Sequence, residues 1–314
     1  MALIKEALIM EHQFDYSDTF PALGTANTIF SDIEHREAVR AARSDVLSLH
    51  KKLNVFDENS EIAQINKNTG IMMPVSRDTF KLLKDSLEFE RLTDGAFKIS
   101  TLPAGRIWQL ASSESRLPTA DELISVQKLV QYDAVRLDIK RLLAGLRRHG
   151  QKIDLGGIAK GYAADSAAKI LDSHGVKRFM LNFGGSVVTH GVDARVGIRN
   201  PFIQQSEKLL GYLKVKDCAV VTSGIYERGV EIGGKRYHHI IDPCTCRPSD
   251  SELVSVTLVG NKAEELDALA TAVLVMGSEK GSKLLQRLNI NAVFVDKRGN
   301  ICVTNGLKNV LEVG

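Results

Sequence analysis

The feature that most constrains this chain is its second half. Six short strand candidates follow one another with little helix between them. They are 178–185 (RFMLNFGG), 194–201 (ARVGIRNP), 211–224 (GYLKVKDCAVVTSG), 230–234 (VEIGG), 236–243 (RYHHIIDP) and 255–260. Strict βαβ alternation is absent, which argues against a doubly wound sheet and for an α+β fold with mostly antiparallel sheets and packed helices. Helical periodicity is confined to other stretches. Val39, Ala42, Val46, Leu49 and Leu53 recur at spacings of three and four within 34–53, as one buried helical face requires. Similar patterns cover 77–92, 119–127, 263–276 and 281–288. A short helix after FDENSEIAQIN is capped by Asp57, Asn59 or Ser60. Within 132–155, alternation predicts strands with turns at Ala144-Gly145 and His149-Gly150. Two last strands flank Arg298-Gly299.

Composition removes several classes. The chain has 314 residues, 44 % hydrophobic and 25 % charged, with 41 Lys plus Arg against 38 Asp plus Glu. These are globular proportions, and a net charge of +3 leaves no basic footprint for nucleic acid. Cys218, Cys244, Cys246 and Cys302 are too few for a disulfide framework at this length. The opening MALIKEALIM is interrupted by Lys5 and Glu6, and no apolar run approaches about 18 residues. A cytoplasmic protein without membrane insertion is therefore expected.

Four segments carry candidate chemistry. In DLGGIAKG (154–161), a glycine pair opens a helix that ends at Gly175. Such a loop lets backbone approach a ligand, and the helix start favours phosphate, with Lys160 adding a point charge. The spacing is not that of a Walker A loop, and a plain strand-to-helix turn fits equally well. In LDALATAVLVMG (266–277), Asp267 and Thr271 stack one helical turn apart among apolar neighbours. They read either as a dipole partner for their own helix or as a partial Mg2+ site, which would add waters and phosphate oxygens. In RYHHIIDP, strand geometry sends His238 and His239 to opposite sides, and Asp242 starts a turn. Cys244 and Cys246 lack a second pair at zinc spacing and read as incidental thiols. The basic residues Arg136, Lys140, Arg141, Arg147, Arg148 and Lys152 read as a solvated hairpin face.

Each signal alone is weak, but their order is not. The series SEIxxxN, GAF, DLGGIAKGYAxD, NxGG, TSGxYER, RYHHIIDP and DALATAxxVMG, spread over 23–277, closely resembles the FAD:protein FMN transferase (ApbE-like) family. That resemblance implies a T-fold-like α+β catalytic unit over 19–314 behind an extension at 1–18. It implies FAD as substrate, Mg2+ as cofactor, and transfer of FMN through a phosphoester to a Thr or Ser of an acceptor protein, with AMP leaving. Asp267 and Thr271 would ligate Mg2+ with the backbone oxygen of Gly157. Leu23, Phe56, Ala96, Phe97, Asp154, Lys160 and Ile240 would contact FAD, with Lys98 beside them. His239 would be the general base, and Asp267 would serve catalysis through the metal. Alternatives within the resemblance are an FAD pyrophosphatase and a flavin binder without transferase activity. The chain departs from the family pattern at Lys98, where an acid is usual, and at Leu102 and Cys246, where glycine is usual. It contains no Asp-x-x-[Ser/Thr]-x-[Ala/Ser/Thr] acceptor pattern of its own.

Overall fold

A computed structural model describes residues 13–131, 133–203 and 209–313. Residues 1–12 of the expected N-terminal extension lie outside the described residues. Tyr16–Ala22 is already a strand of the main sheet. That sheet has eight strands in the order Tyr16–Ala22, Thr25–Ser31, Phe179–Phe183, Ser186–His190, Ala219–Gly224, Leu253–Gly260, Asn291–Asp296 and Ile301–Val303. Every neighbouring pair runs antiparallel.

Side chains of Phe179–Phe183 show how the layers are built. Phe179, Leu181 and Phe183 join the larger core cluster, which includes the helices Arg36–Leu53, Ala159–Ser173 and Ala263–Met276. Met180 points the other way. It meets Val187, Val220 and residues of a three-stranded sheet formed by Asp193–Arg199, Leu209–Lys216 and Leu311–Val313. Alternation along one strand thus feeds two cores, helices on one face and a second sheet on the other.

The helices begin where capping chemistry puts them. Ser60 accepts from the Ala63 N–H at 3.0 Å and starts Glu61–Lys67; Ser76 caps Arg77–Leu92 in the same way. The helix Leu102–Ser113 and the hairpin Tyr16–Ser31 lack a clear signal in the sequence. Its Leu23-Gly24 turn has φ of +53° and +75°. A leucine in the left-handed region gives no local warning.

One expected turn is overturned. Ala144 and Gly145 sit inside the strand Leu143–Leu146, and the chain reverses at 139–142 instead. There Asp138 Oδ1 accepts from the N–H groups of Lys140 (3.0 Å) and Arg141 (3.2 Å), an Asx-type turn. Gly145 is needed for proximity: a Cβ would lie 2.3 Å from the Ile71 carbonyl oxygen on the adjoining segment.

Gly161 has the same role in a more consequential place. A Cβ there would fall 2.1 Å from the Ala263 carbonyl oxygen, so only glycine lets the starts of the two helices touch. Asp165 of the first helix accepts from the Ala263 and Glu264 N–H groups, each at 3.0 Å, and caps the second. Gly161→Ala should destabilise the protein by about 1–3 kcal/mol through overpacking. A thermal-melting midpoint equal to the parent's would contradict this contact.

Candidate functional site

Loops from both layers converge on one cleft of about 530 Å³, a size suited to a small organic ligand. Its floor is 154–157. Buried Asn66 holds the preceding Ile153 by accepting from its N–H (2.7 Å) and donating to its carbonyl (2.8 Å). This explains the asparagine of SEIxxxN. Asp154 donates its N–H to the Ile99 carbonyl at 2.9 Å, and its Oδ1 accepts from the Gly156 N–H at 2.9 Å.

Asp267 is the best-determined polar group of the cleft. It is 1 % exposed. Its carboxylate accepts from the Gly161 N–H at 3.0 Å and from Lys160 Nζ at 3.0 and 3.2 Å. Asp267 therefore caps the neighbouring helix rather than serving its own, whose start belongs to Asp165. The exchange is reciprocal, and each carboxylate meets the positive end of the other's helix. Thr271 donates Oγ1–H to the Asp267 carbonyl at 3.3 Å, which leaves its lone pairs free. Thr271 Oγ1 also lies 3.7 Å from where a Gly157 Cβ would be.

A hard divalent cation takes oxygen ligands, usually with only one or two carboxylates. The Asp267 carboxylate, the Thr271 hydroxyl and the adjacent Gly157 backbone have that chemistry. Two donors do not exhaust the lone pairs of a carboxylate. The residues present therefore fit such an ion. Among the described residues, no cluster of three or more His, Cys, Asp or Glu side chains offers a rival metal site.

His239 faces the same cleft. Its Nδ1 lies 3.1 Å from the Arg228 carbonyl oxygen. A carbonyl only accepts, so the network assigns the proton to Nδ1 and leaves Nε2 as a free acceptor. By surface area His239 is exposed to the cleft solvent. The protein wall around it nonetheless pulls the imidazole down to about 4, with the Arg228 and Lys160 cations acting in the same direction. His238 turns away, with Nε2 2.9 Å from the Ser249 carbonyl oxygen. The two histidines diverge as strand geometry predicts.

Leu23, Ala96, Phe97, Lys98, Asp154, Gly157, Lys160, His239, Ile240, Asp267 and Thr271 all line the cleft. Phe56 does not; it stands 84 % exposed on the turn before Glu61–Lys67. The Lys98 ammonium is held by Glu90 at 2.7 Å and donates to the Gln131 carbonyl at 3.3 Å. The lysine in place of the family's acid is thus matched by a local carboxylate. Cys246 has φ +56°, a left-handed conformation that glycine adopts without steric cost.

Sequence reasoning did not single out Glu227, Arg199 and Arg228, which also line the cleft. The enclosing protein raises the Glu227 carboxyl above its ordinary range, against the pull of Lys160, Arg199 and Arg228. Arg228 Nη2 donates to the Gly24 carbonyl at 3.3 Å, tying the hairpin tip to the residue that holds His239. Glu227 and Arg228 had only the TSGIYER string as a sequence signal, and Arg199 only its place in the strand candidate 194–201.

Comparison with known proteins agrees with this architecture. The ApbE family model matches residues 23–294. An FAD:protein FMN transferase of Klebsiella pneumoniae (strain 342) is 33 % identical over 274 residues, covering 86 % of each chain. One from Treponema pallidum (strain Nichols) is 32 % identical over 286 residues, covering 83 % of this chain and 79 % of the relative. The crystal structure of the ApbE protein from Thermotoga maritima superposes with a TM-score of 0.84 at 31 % identity, covering 95 % of this chain and 99 % of that one. The α+β fold with antiparallel sheets and this cleft define a flavin-transferase class of protein, and the chain belongs to the ApbE family.

The His239 assignment is open to direct measurement. An NMR titration of the imidazole should show a midpoint near 4, with the ring neutral across the physiological range. A midpoint at the ordinary 6.5 or above would show that the cleft does not disfavour the cation.

Proposed function

We propose that this chain is an Mg2+-dependent FAD:protein FMN transferase, forming a phosphoester between FMN and a Thr or Ser of an acceptor protein and releasing AMP. The observation that carries this reading is the grip of Lys160 and the Gly161 N–H on Asp267, one turn from Thr271, at a helix start facing the cleft. Phosphoryl transfer depends mainly on charge neutralisation and in-line positioning, and helix starts with a lysine suit pyrophosphate oxygens.

In this reading Asp267, Thr271 and the Gly157 carbonyl would hold Mg2+, which when bound would supply charge withdrawal from the pyrophosphate. Phe97, Ile240 and Leu23 offer apolar walls for the flavin. The acceptor hydroxyl oxygen forms a bond to the FMN phosphorus, and the bond from that phosphorus to the AMP oxygen breaks. AMP leaves with the bridging oxygen and its electron pair. The hydroxyl proton passes to His239 Nε2, which is neutral and unoccupied in the assigned tautomer. Lys160 orients Asp267 and adds positive charge where the leaving phosphate develops negative charge.

The test uses purified protein, FAD, Mg2+ and an acceptor protein from a flavinylated complex, read by in-gel flavin fluorescence and mass. The acceptor should gain the mass of FMN minus water. EDTA should abolish the gain, and added Mg2+ should restore it. Asp267→Ala should lower the rate by at least about 100-fold. Flavinylation by that variant at the parental rate would overturn the metal assignment. Stoichiometric FMN and AMP release with an unmodified acceptor would instead assign the protein as an FAD pyrophosphatase.

A further inference from the structure

Away from the cleft, the short sheet that leads into Asp154 leaves one face exposed at its 139–142 end. Its strands are Met73–Pro74, Leu143–Leu146 and Val135–Asp138. Register assigns the two faces. Leu137 pairs with Ala144, and Ala144 with Met73; this row points inward, where Ala144 is fully buried. Arg136, Asp138 and Leu143 therefore point outward by alternation. They share one shallow surface with Met72, with the half-buried Leu137 at its edge, and with Ile139, Lys140 and Arg141 of the turn.

Two features of this surface bear on what it could meet. Its apolar tip residue projects: Ile139 is 68 % exposed. Its three cations also outnumber the single carboxylate, Asp138, that lines it. Many basic residues elsewhere are paired, among them Arg43, Lys52, Lys81, Lys98 and Arg116. Among the described residues, no carboxylate pairs with Arg136, Lys140 or Arg141. The nearby Asp138 spends Oδ1 on the backbone of the turn. An isoleucine at a protruding tip, flanked by unpaired Lys and Arg, combines the two attractions of interfacial anchoring: apolar insertion at the headgroup boundary, and charge complementarity with anionic lipid.

We propose that this hairpin is a peripheral docking site for an anionic lipid surface, with Ile139 entering the headgroup layer and Arg136, Lys140 and Arg141 facing lipid phosphates. No helix among the described residues is long and apolar enough to cross a membrane, so the contact is superficial. It is independent of the transferase reading.

Flotation of the whole protein with phosphatidylcholine vesicles, with and without phosphatidylglycerol, tests this. Partitioning should require the anionic lipid and weaken as salt rises. Arg136→Gln, Lys140→Gln and Arg141→Gln combined should lower it by roughly 100-fold, about fivefold per cation. Ile139→Ser should lower it several-fold with the salt dependence retained. These side chains are exposed and unpaired, so the melting midpoint and FAD binding should match the parent, which controls for folding. Equal binding to both vesicle types, or an unaffected triple variant, would overturn the proposal. Retention on polyglutamate without vesicle binding would assign the face to an acidic protein partner and overturn it as well.

Discussion

The structure depends on a contact that excludes a side chain. At Gly161 two helices approach so closely that their backbones touch, with Ala263 on the other side. Two helix starts brought together set two partial positive charges side by side. The chain answers with an exchange of carboxylates. Asp165 of the first helix satisfies the N–H groups at the start of the second, and Asp267 of the second satisfies one at the start of the first. The pairing fixes helix packing and leaves Asp267 oriented, nearly dry and on the cleft. Stability and chemistry here have one origin.

Other parts of the cleft are similarly held at second hand. Asn66 fixes the backbone before Asp154, Asp154 braces its own glycine turn, and Arg228 supports His239 while touching the hairpin tip at Gly24. None of these contacts is local in sequence except the Asp154 turn. A site so built is rigid because its supports come from separate elements of the fold, and rigid placement of donors favours charge stabilisation during phosphoryl transfer.

The sequence made the helices legible where the apolar pattern is clear: 77–92 and 263–276 match Arg77–Leu92 and Ala263–Met276. It misled at Gly145, where a glycine serves a close strand approach rather than a turn. It was silent at Leu23, because a leucine with positive φ carries no turn signature. Asp267 and Thr271 could be paired by helical spacing alone. That Asp267 serves the neighbouring helix could not, since the partner lies 106 residues away. Lys98 shows the same limit: a reversed charge looks like a change at the pocket until Glu90 is seen to hold it. Glu227 stood in the TSGIYER string, but its raised carboxyl could not be read there, because Lys160, Arg199 and Asp267 are remote in the chain.

The central claim is that Asp267 and Thr271 hold a divalent cation against a pyrophosphate at the start of the Gly161 helix. Crystals soaked with FAD and Mn2+ as an anomalous stand-in test it most directly. The account predicts a metal peak at about 2.1–2.2 Å from an Asp267 carboxylate oxygen and Thr271 Oγ1, with the two phosphates beside Lys160. A metal peak elsewhere, or phosphates ordered far from that helix start, would contradict it.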